Sequence, residues 1–258
     1  MHRLVTAVAA AITLLTPAQA ARGEMRTFSA DYSVTLYGLP VGKARFDSTF
    51  NGDRFTIKGS IKSSGIARLI EKTNGTTRVE GRIGEDAVRP QSYAVAYVSG
   101  DEKESTTIRY SGNKVVETVN TPKPKKRGKD WVPLGDKHLR NALDPLSATL
   151  IPAANPAKVC DRTIHFYDGE LRADLKLSHA GTGPIRGFEG AAVTCNVQFI
   201  PLAGYRQGRK QIEFLKNKSR ISISFMPLGD TGLHAPVAAS IDTQVGTVRV
   251  TARNVEAR

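Results

Sequence analysis

Asp161, His165 and Asp168 form the one local cluster of acid and base side chains worth testing for proton transfer. Carboxylates flanking an imidazole are the raw material of general acid–base catalysis, and such a cluster would suit a hydrolase acting on envelope glycan or lipid. The local sequence offers a plainer account. Asp168 precedes Gly169, and Asp-Gly is turn chemistry: the carboxylate accepts from nearby backbone N–H groups, and glycine takes conformations other residues avoid. The other histidines beyond the first twenty residues, His138, His179 and His234, are scattered with no H-E-x-x-H or paired spacing. No G-x-S-x-G elbow activates Ser147 or Ser178. Glu71, Glu80 and Glu170 have no marked partner. Gly181-Thr182-Gly183-Pro184 resembles a phosphate loop only superficially, and a hairpin turn is the expected reading. No catalytic residue, metal site or cofactor is assigned on this basis.

Cys160 and Cys195 are the two cysteines, 35 residues apart. An even number points to one disulfide if the chain is exported, as the order of residues 1–20 leads one to expect; two free buried thiols are the alternative. His165 and His179 lie between them, but the spacing fits no zinc pattern. A bridge closing a loop of this size stabilises by roughly 3–4 kcal/mol on the chain-entropy account.

The remaining chemistry is electrostatic. Pro122 to Lys129 reads PKPKKRGK, with no apolar residue to bury, so residues 122–130 are expected to form a mobile basic loop. Lys123, Lys125, Lys126, Arg127 and Lys129 beside Trp131 could hold an anionic lipid headgroup, with the indole at the apolar boundary. A solvated loop without a partner is the simpler alternative.

Strands must position these groups. Period-two alternation dominates, as in Ala30, Tyr32, Val34 and Leu36 between polar neighbours. Asn51-Gly52, Ser111-Gly112-Asn113 and Asp168-Gly169 mark hairpin turns. Val193, Cys195, Val197 and Phe199 share one strand face, so Cys195 points inward. About thirteen strands joined by short turns predict an all-β fold, a curved antiparallel sheet of barrel-like or sandwich-like form. Two short helices are expected against it. Gly65 to Lys72 places Ile66, Leu69 and Ile70 at helical spacing, and Asp144-Pro145 opens a second segment carrying Leu146, Leu150 and Ile151. Those six residues are the candidate wall of a ligand cavity, or else plain core.

The N-terminus supplies an address. Met1-His2-Arg3, an apolar run from Leu4 to Leu15, Pro17 and then Ala18-Gln19-Ala20 follow the order of a cleaved secretory signal over residues 1–20. The run is too short for a transmembrane anchor, and no later segment is apolar enough to span a bilayer as a helix. Residues 21–258 are expected to fold as a single domain in the periplasm. A formal charge of +13 and a pI near 9.9 favour anionic neighbours such as lipid headgroups or lipopolysaccharide. Nucleic acid is a poor partner in that compartment.

The ordered set of motifs resembles the proteobacterial envelope family called domain of unknown function 3108. The matching elements begin with Tyr32 to Tyr37, Gly38 and Val41-Gly42, then Asp144-Pro145-Leu146-Ser147 and Cys160-Asp161. Asp168-Gly169, Cys195, Ile200 to Tyr205, Phe225-Met226-Pro227 and Pro236 to Gly246 follow. The basic loop at 122–129 is longer and more basic than that pattern. The resemblance implies a periplasmic all-β protein without assigned activity, similar in outline to periplasmic lipoprotein carriers, whose sheet wraps an apolar cavity. The expected function is non-catalytic: binding an apolar or amphipathic envelope molecule or a protein partner in support of envelope integrity. A hydrolase and a basic structural protein bridging anionic surfaces are the alternatives.

Overall fold

The structure, a computed structural model, describes residues 25–257. The signal sequence expected at 1–20 lies outside them. The first half is a meander: β1 (Arg26–Leu36), β2 (Leu39–Asn51), β3 (Arg54–Ser63), a helical turn α1 (Ala67–Ile70), β4 (Thr73–Ile83), β5 (Val88–Ser99), β6 (Glu102–Ser111) and β7 (Lys114–Thr121). After the basic loop come the short strands β8 (Trp131–Val132) and β9 (Ile151–Pro152), then β10 (Arg162–Tyr167), β11 (Arg172–Pro184), β12 (Ala191–Ala203) and β13 (Tyr205–Arg206). Helix α2 (Lys210–Asn217), β14 (Ile221–Pro227), β15 (Leu233–Thr243) and β16 (Gly246–Ala257) complete the chain.

Thirteen strands form one antiparallel path, β10-β11-β12-β14-β15-β16-β1-β2-β3-β4-β5-β6-β7, with β9 added beside β15. Strands β8 and β13 pair separately. The sheet coils until its two edges, β7 and β10, approach each other without pairing. Residues 140–143 lie between them: Arg140 bridges to Lys114 at the start of β7, and Leu143 bridges to Phe166 in β10. The result is curved and barrel-like but not closed.

Alternation decides which side chains face inward, and one irregularity corrects the alternation. Tyr32 of β1 faces Ala252 of β16 while Asp31 faces Asn254, leaving Arg253 as an extra residue. An inserted residue reverses the parity of a strand. Val250 and Ala252 before the bulge therefore face the same side as Val255 and Ala257 after it.

The principal core gathers Phe50, Phe55, Ile57, Val79, Tyr93 and Ile108 of the meander against Leu150, Tyr167, Leu228 and Leu233. A second cluster surrounds the disulfide formed by Cys160 and Cys195, whose Cα atoms are 5.3 Å apart. Val193, Cys195, Val197 and Phe199 are all buried, as their shared strand face requires.

The helical expectations need correction. At 65–72 only one turn forms, because Gly65 sits at φ +54 against the Pro40 carbonyl and Thr73 already belongs to β4. At 144–151 the chain makes a 3-10 turn over Ser147–Thr149, since Ile151–Pro152 pairs with β15 and ends any helix. Asp144 still caps that turn, with Oδ1 accepting from the N–H groups of Leu146 and Ser147 at 3.0 and 2.9 Å. Residues 181–184 are paired strand, facing 194–191, and the hairpin connection falls at 185–190 instead.

Candidate functional site

Inward-facing residues of β1–β3, β10–β11 and β14–β16 surround a cavity of about 690 Å³. Strand β1 contributes Phe28, Ala30, Tyr32 and Val34, and β2 contributes Ala44, Phe46 and Ser48. Ile164, Phe166, Leu175 and Leu177 form the facing wall. Several inward positions hold alanine, among them Ala30, Ala44, Ala235 and Ala239, so the sheet's concave face lacks the bulk to fill itself. Small-molecule sites commonly occupy roughly 300–1,000 Å³, and this volume falls inside that range.

No charged side chain lines the cavity among the described residues. Its polar groups are largely satisfied. The Tyr32 hydroxyl donates to the Pro236 carbonyl at 2.7 Å, and burial pushes its pKa up to about 12. Thr149 Oγ1 donates to the Leu146 carbonyl at 2.7 Å. A wall of this kind rewards an apolar guest and penalises a charged one.

At one end of the cavity Phe28, Leu150 and Leu228 are buried beside the 3-10 turn, with Pro227, Gly229 and Ala257 of the lining exposed. Toward the other end Tyr32, Val34 and Val250 are half-buried, and Ile61 is 41% exposed.

The expected site residues divide between wall and surface. Leu146 and Leu150 line the cavity. Ile151 is buried and lines a second, more polar hollow of about 410 Å³ behind the 3-10 turn, shared with Glu85, Asp86 and Arg162. Ile66 is 45% exposed and lies outside both. The side chains of Leu69 and Ile70 lie outside the described residues.

Asp161, His165 and Asp168 do not assemble. Asp161 is exposed and faces Lys158 at 3.7 Å. His165 Nδ1 lies 2.7 Å from Asp174 Oδ1, which also accepts from Arg172 at 2.8 Å. Burial disfavours the Asp174 carboxylate, but those two partners outweigh it and hold its pKa below the ordinary value. Asp168 caps its turn, with Oδ1 accepting from the N–H groups of Glu170 and Leu171 at 2.9 and 2.8 Å. Burial raises its pKa against the pull of those amides.

The basic loop is exposed from Pro122 to Asp130, and Trp131 is half-buried. Arg127 is committed: its guanidinium stacks over the Trp131 ring at 3.8 Å and pairs with Glu170. Lys123, Lys125, Lys126 and Lys129 extend into solvent around it.

Helix α2 and most of the cavity wall lie outside the elements expected from the sequence. The spacing of Ile212 and Leu215 among Lys, Gln and Glu was the available signal for the helix. Alanines at inward strand positions were the signal for the space.

No curated protein matches the chain in sequence. A crystal structure of a β-barrel-like protein of domain of unknown function DUF1849 from Brucella abortus superposes with a TM-score of 0.53 at 8% identity, covering 90% of this chain and 98% of that one. That likeness is one of fold alone. In sequence, residues 31–253 match the family described as protein of unknown function DUF3108, and the chain belongs to that family.

Proposed function

We propose that this protein is a non-catalytic, exported binding protein that takes the apolar part of an amphipathic envelope molecule, such as a lipid acyl chain, into the sheet cavity and so supports envelope integrity. One observation carries the reading: a space of about 690 Å³ walled by apolar side chains, with no charged group in its lining among the described residues. A headgroup would remain outside the cavity, because burying it unpaired costs several kcal/mol. The separation of Asp161, His165 and Asp168 into an ion pair, a strand contact and a turn cap supports binding over hydrolysis. A periplasmic address is supported by the basic, apolar and small-residue order of residues 1–20 and by the disulfide.

The test is native mass spectrometry of the full chain purified from its own envelope fraction, together with titration of the delipidated protein with a dansyl-labelled fatty acid. Copurified lipid and saturable fluorescence enhancement are expected. Absence of both copurified lipid and saturable uptake would reject the reading.

A further inference from the structure

The strand connections fall at two opposite ends of the sheet, and the two ends differ in character. At one end lie the β1–β2, β5–β6, β10–β11 and β15–β16 turns, the β3–β4 connection with α1, the basic loop and α2, because β7 and β12 both terminate there. The end of the cavity lined by Val34 and Ile61 is this end. The other end carries the β2–β3, β4–β5, β6–β7, β11–β12 and β14–β15 connections.

Apolar side chains protrude at the first end. Tyr37 is 72% exposed, Leu39 51% and Val245 65%. They are contiguous across three connections: the Tyr37 ring lies against Gly246, and the Pro40 carbonyl lies against Gly65, next to the exposed Ile66. Tyr37 also adopts φ +52, in a two-residue turn with Gly38 at φ +79. That turn geometry favours asparagine, aspartate or glycine at its first position, so a bulky aromatic sits there against local preference. A costly conformation at an exposed aromatic points to use of the side chain.

Charge follows the same division. Residues 62–72, 99–102, 122–131, 168–171 and 206–220 at the apolar end hold fourteen lysines and arginines against seven acids, a net of +7. Connections 51–54, 84–87, 111–114, 152–161, 185–190 and 228–232 at the other end hold four against six, a net of −2. A soluble surface has no need of so polar a distribution, and a field of this form orients a molecule toward an anionic plane. Protruding apolar tips inside a basic collar are what an anionic bilayer accommodates, tips below the headgroups and lysines among the phosphates.

We propose that this end of the protein docks on an anionic phospholipid surface, with Tyr37, Leu39 and Val245 entering the interface and the basic loop and α2 region contacting phosphates. The Ile61 end of the cavity then faces the bilayer. Docking rests on the surface and not on occupancy of the cavity, so the two readings fail separately.

Cosedimentation of the full chain with phosphatidylcholine vesicles, with and without phosphatidylglycerol, tests it. Binding is expected only when phosphatidylglycerol is present, and it should weaken with salt. The Tyr37→Ser, Leu39→Ser, Val245→Ser triple variant should lose at least about tenfold in partitioning with an unchanged melting temperature. A Val245→Trp variant in a Trp131→Phe background should show a blue shift on those vesicles. An Ala239→Phe variant, with its cavity obstructed, should still bind them. Absence of cosedimentation at low salt would overturn the proposal. So would a folded triple variant that binds as well as the parent, which would leave charge alone as the cause.

Discussion

The Tyr167 hydroxyl lies 3.1 Å from Thr118 Oγ1, and this contact joins β10 to β7, the two edge strands of the sheet. Asn120 adds to it, donating from Nδ2 to the Gly169 carbonyl at 3.1 Å while its Oδ1 accepts from Thr106 at 2.7 Å. A sheet with free edges is thus held in its coil by side chains where backbone pairing stops. Tyr167 is buried, so losing its partner leaves a desolvated hydroxyl.

Tyr167→Phe and Thr118→Val are each expected to reduce stability by about 1 kcal/mol in urea denaturation. Combined, they should cost little more than either alone, because they remove one shared interaction. Additive losses would show that the two hydroxyls act independently and that the seam is held elsewhere.

The disulfide should contribute more. It closes a 35-residue separation between the segment before β10 and the centre of β12, inside a buried cluster. Replacing both cysteines with serine should lower stability by about 3–4 kcal/mol, with some further loss from burying two hydroxyls. Thiol labelling of the denatured, unreduced parent protein should find no free cysteine. Two labelled thiols would contradict the bridge.

Much of this architecture was legible because strands advertise themselves by alternation. Spacing alone puts Ala30, Tyr32 and Val34 on one face, and the neighbours Pro145 and Gly169 mark Asp144 and Asp168 as backbone caps. The cavity was not legible in the same way. Alternation says which residues share a face but not whether opposing faces meet, and here Ala44 and Ala239 leave the gap that larger residues would close. The bulge at Arg253 is equally silent in sequence, yet it decides that Val255 and Ala257 face inward. The helical spacing of Ile66, Leu69 and Ile70 was real but too short, since strand pairing on both sides took up the flanking residues.

Asp144 gives the protein a pH signature. It is fully buried, and burial raises its pKa from the ordinary 3.8 to about 6, against the Ser147 side chain and the backbone amides that favour the carboxylate. Between those two values the native state holds a proton that the unfolded chain has released, so stability from this group falls as pH rises from 3.8 to about 6. A shift of this size corresponds to a destabilisation of roughly 3 kcal/mol, absent below the window and fully expressed above it. Asp144→Asn keeps an oxygen for the Leu146 and Ser147 amides and cannot ionise. The difference in unfolding free energy between parent and variant should therefore change by a few kcal/mol, in the variant's favour, between pH 4 and pH 7 (about one order of magnitude per pH unit across the window). A constant difference across that range would show that Asp144 does not titrate in the folded protein as its burial implies.

His165 separates binding from catalysis. Its ring contacts Asp174, and Asp174 is also held by Arg172, whose guanidinium donates to the His138 carbonyl at 2.9 Å. These contacts tie β10 and β11 to the segment that follows β8, which is structural work. His165→Ala should accordingly cost about 1 kcal/mol in stability and leave fatty-acid uptake intact. Ala239→Phe should do the reverse, because a phenyl ring placed in the cavity removes the guest's volume while leaving every ion pair in place. In a complementation assay for envelope stress, the His165 variant should rescue a deletion strain and the Ala239 variant should fail. A folded, secreted His165→Ala protein that fails as badly as the deletion, while still taking up the probe, would return Asp161, His165 and Asp168 to consideration as an active site.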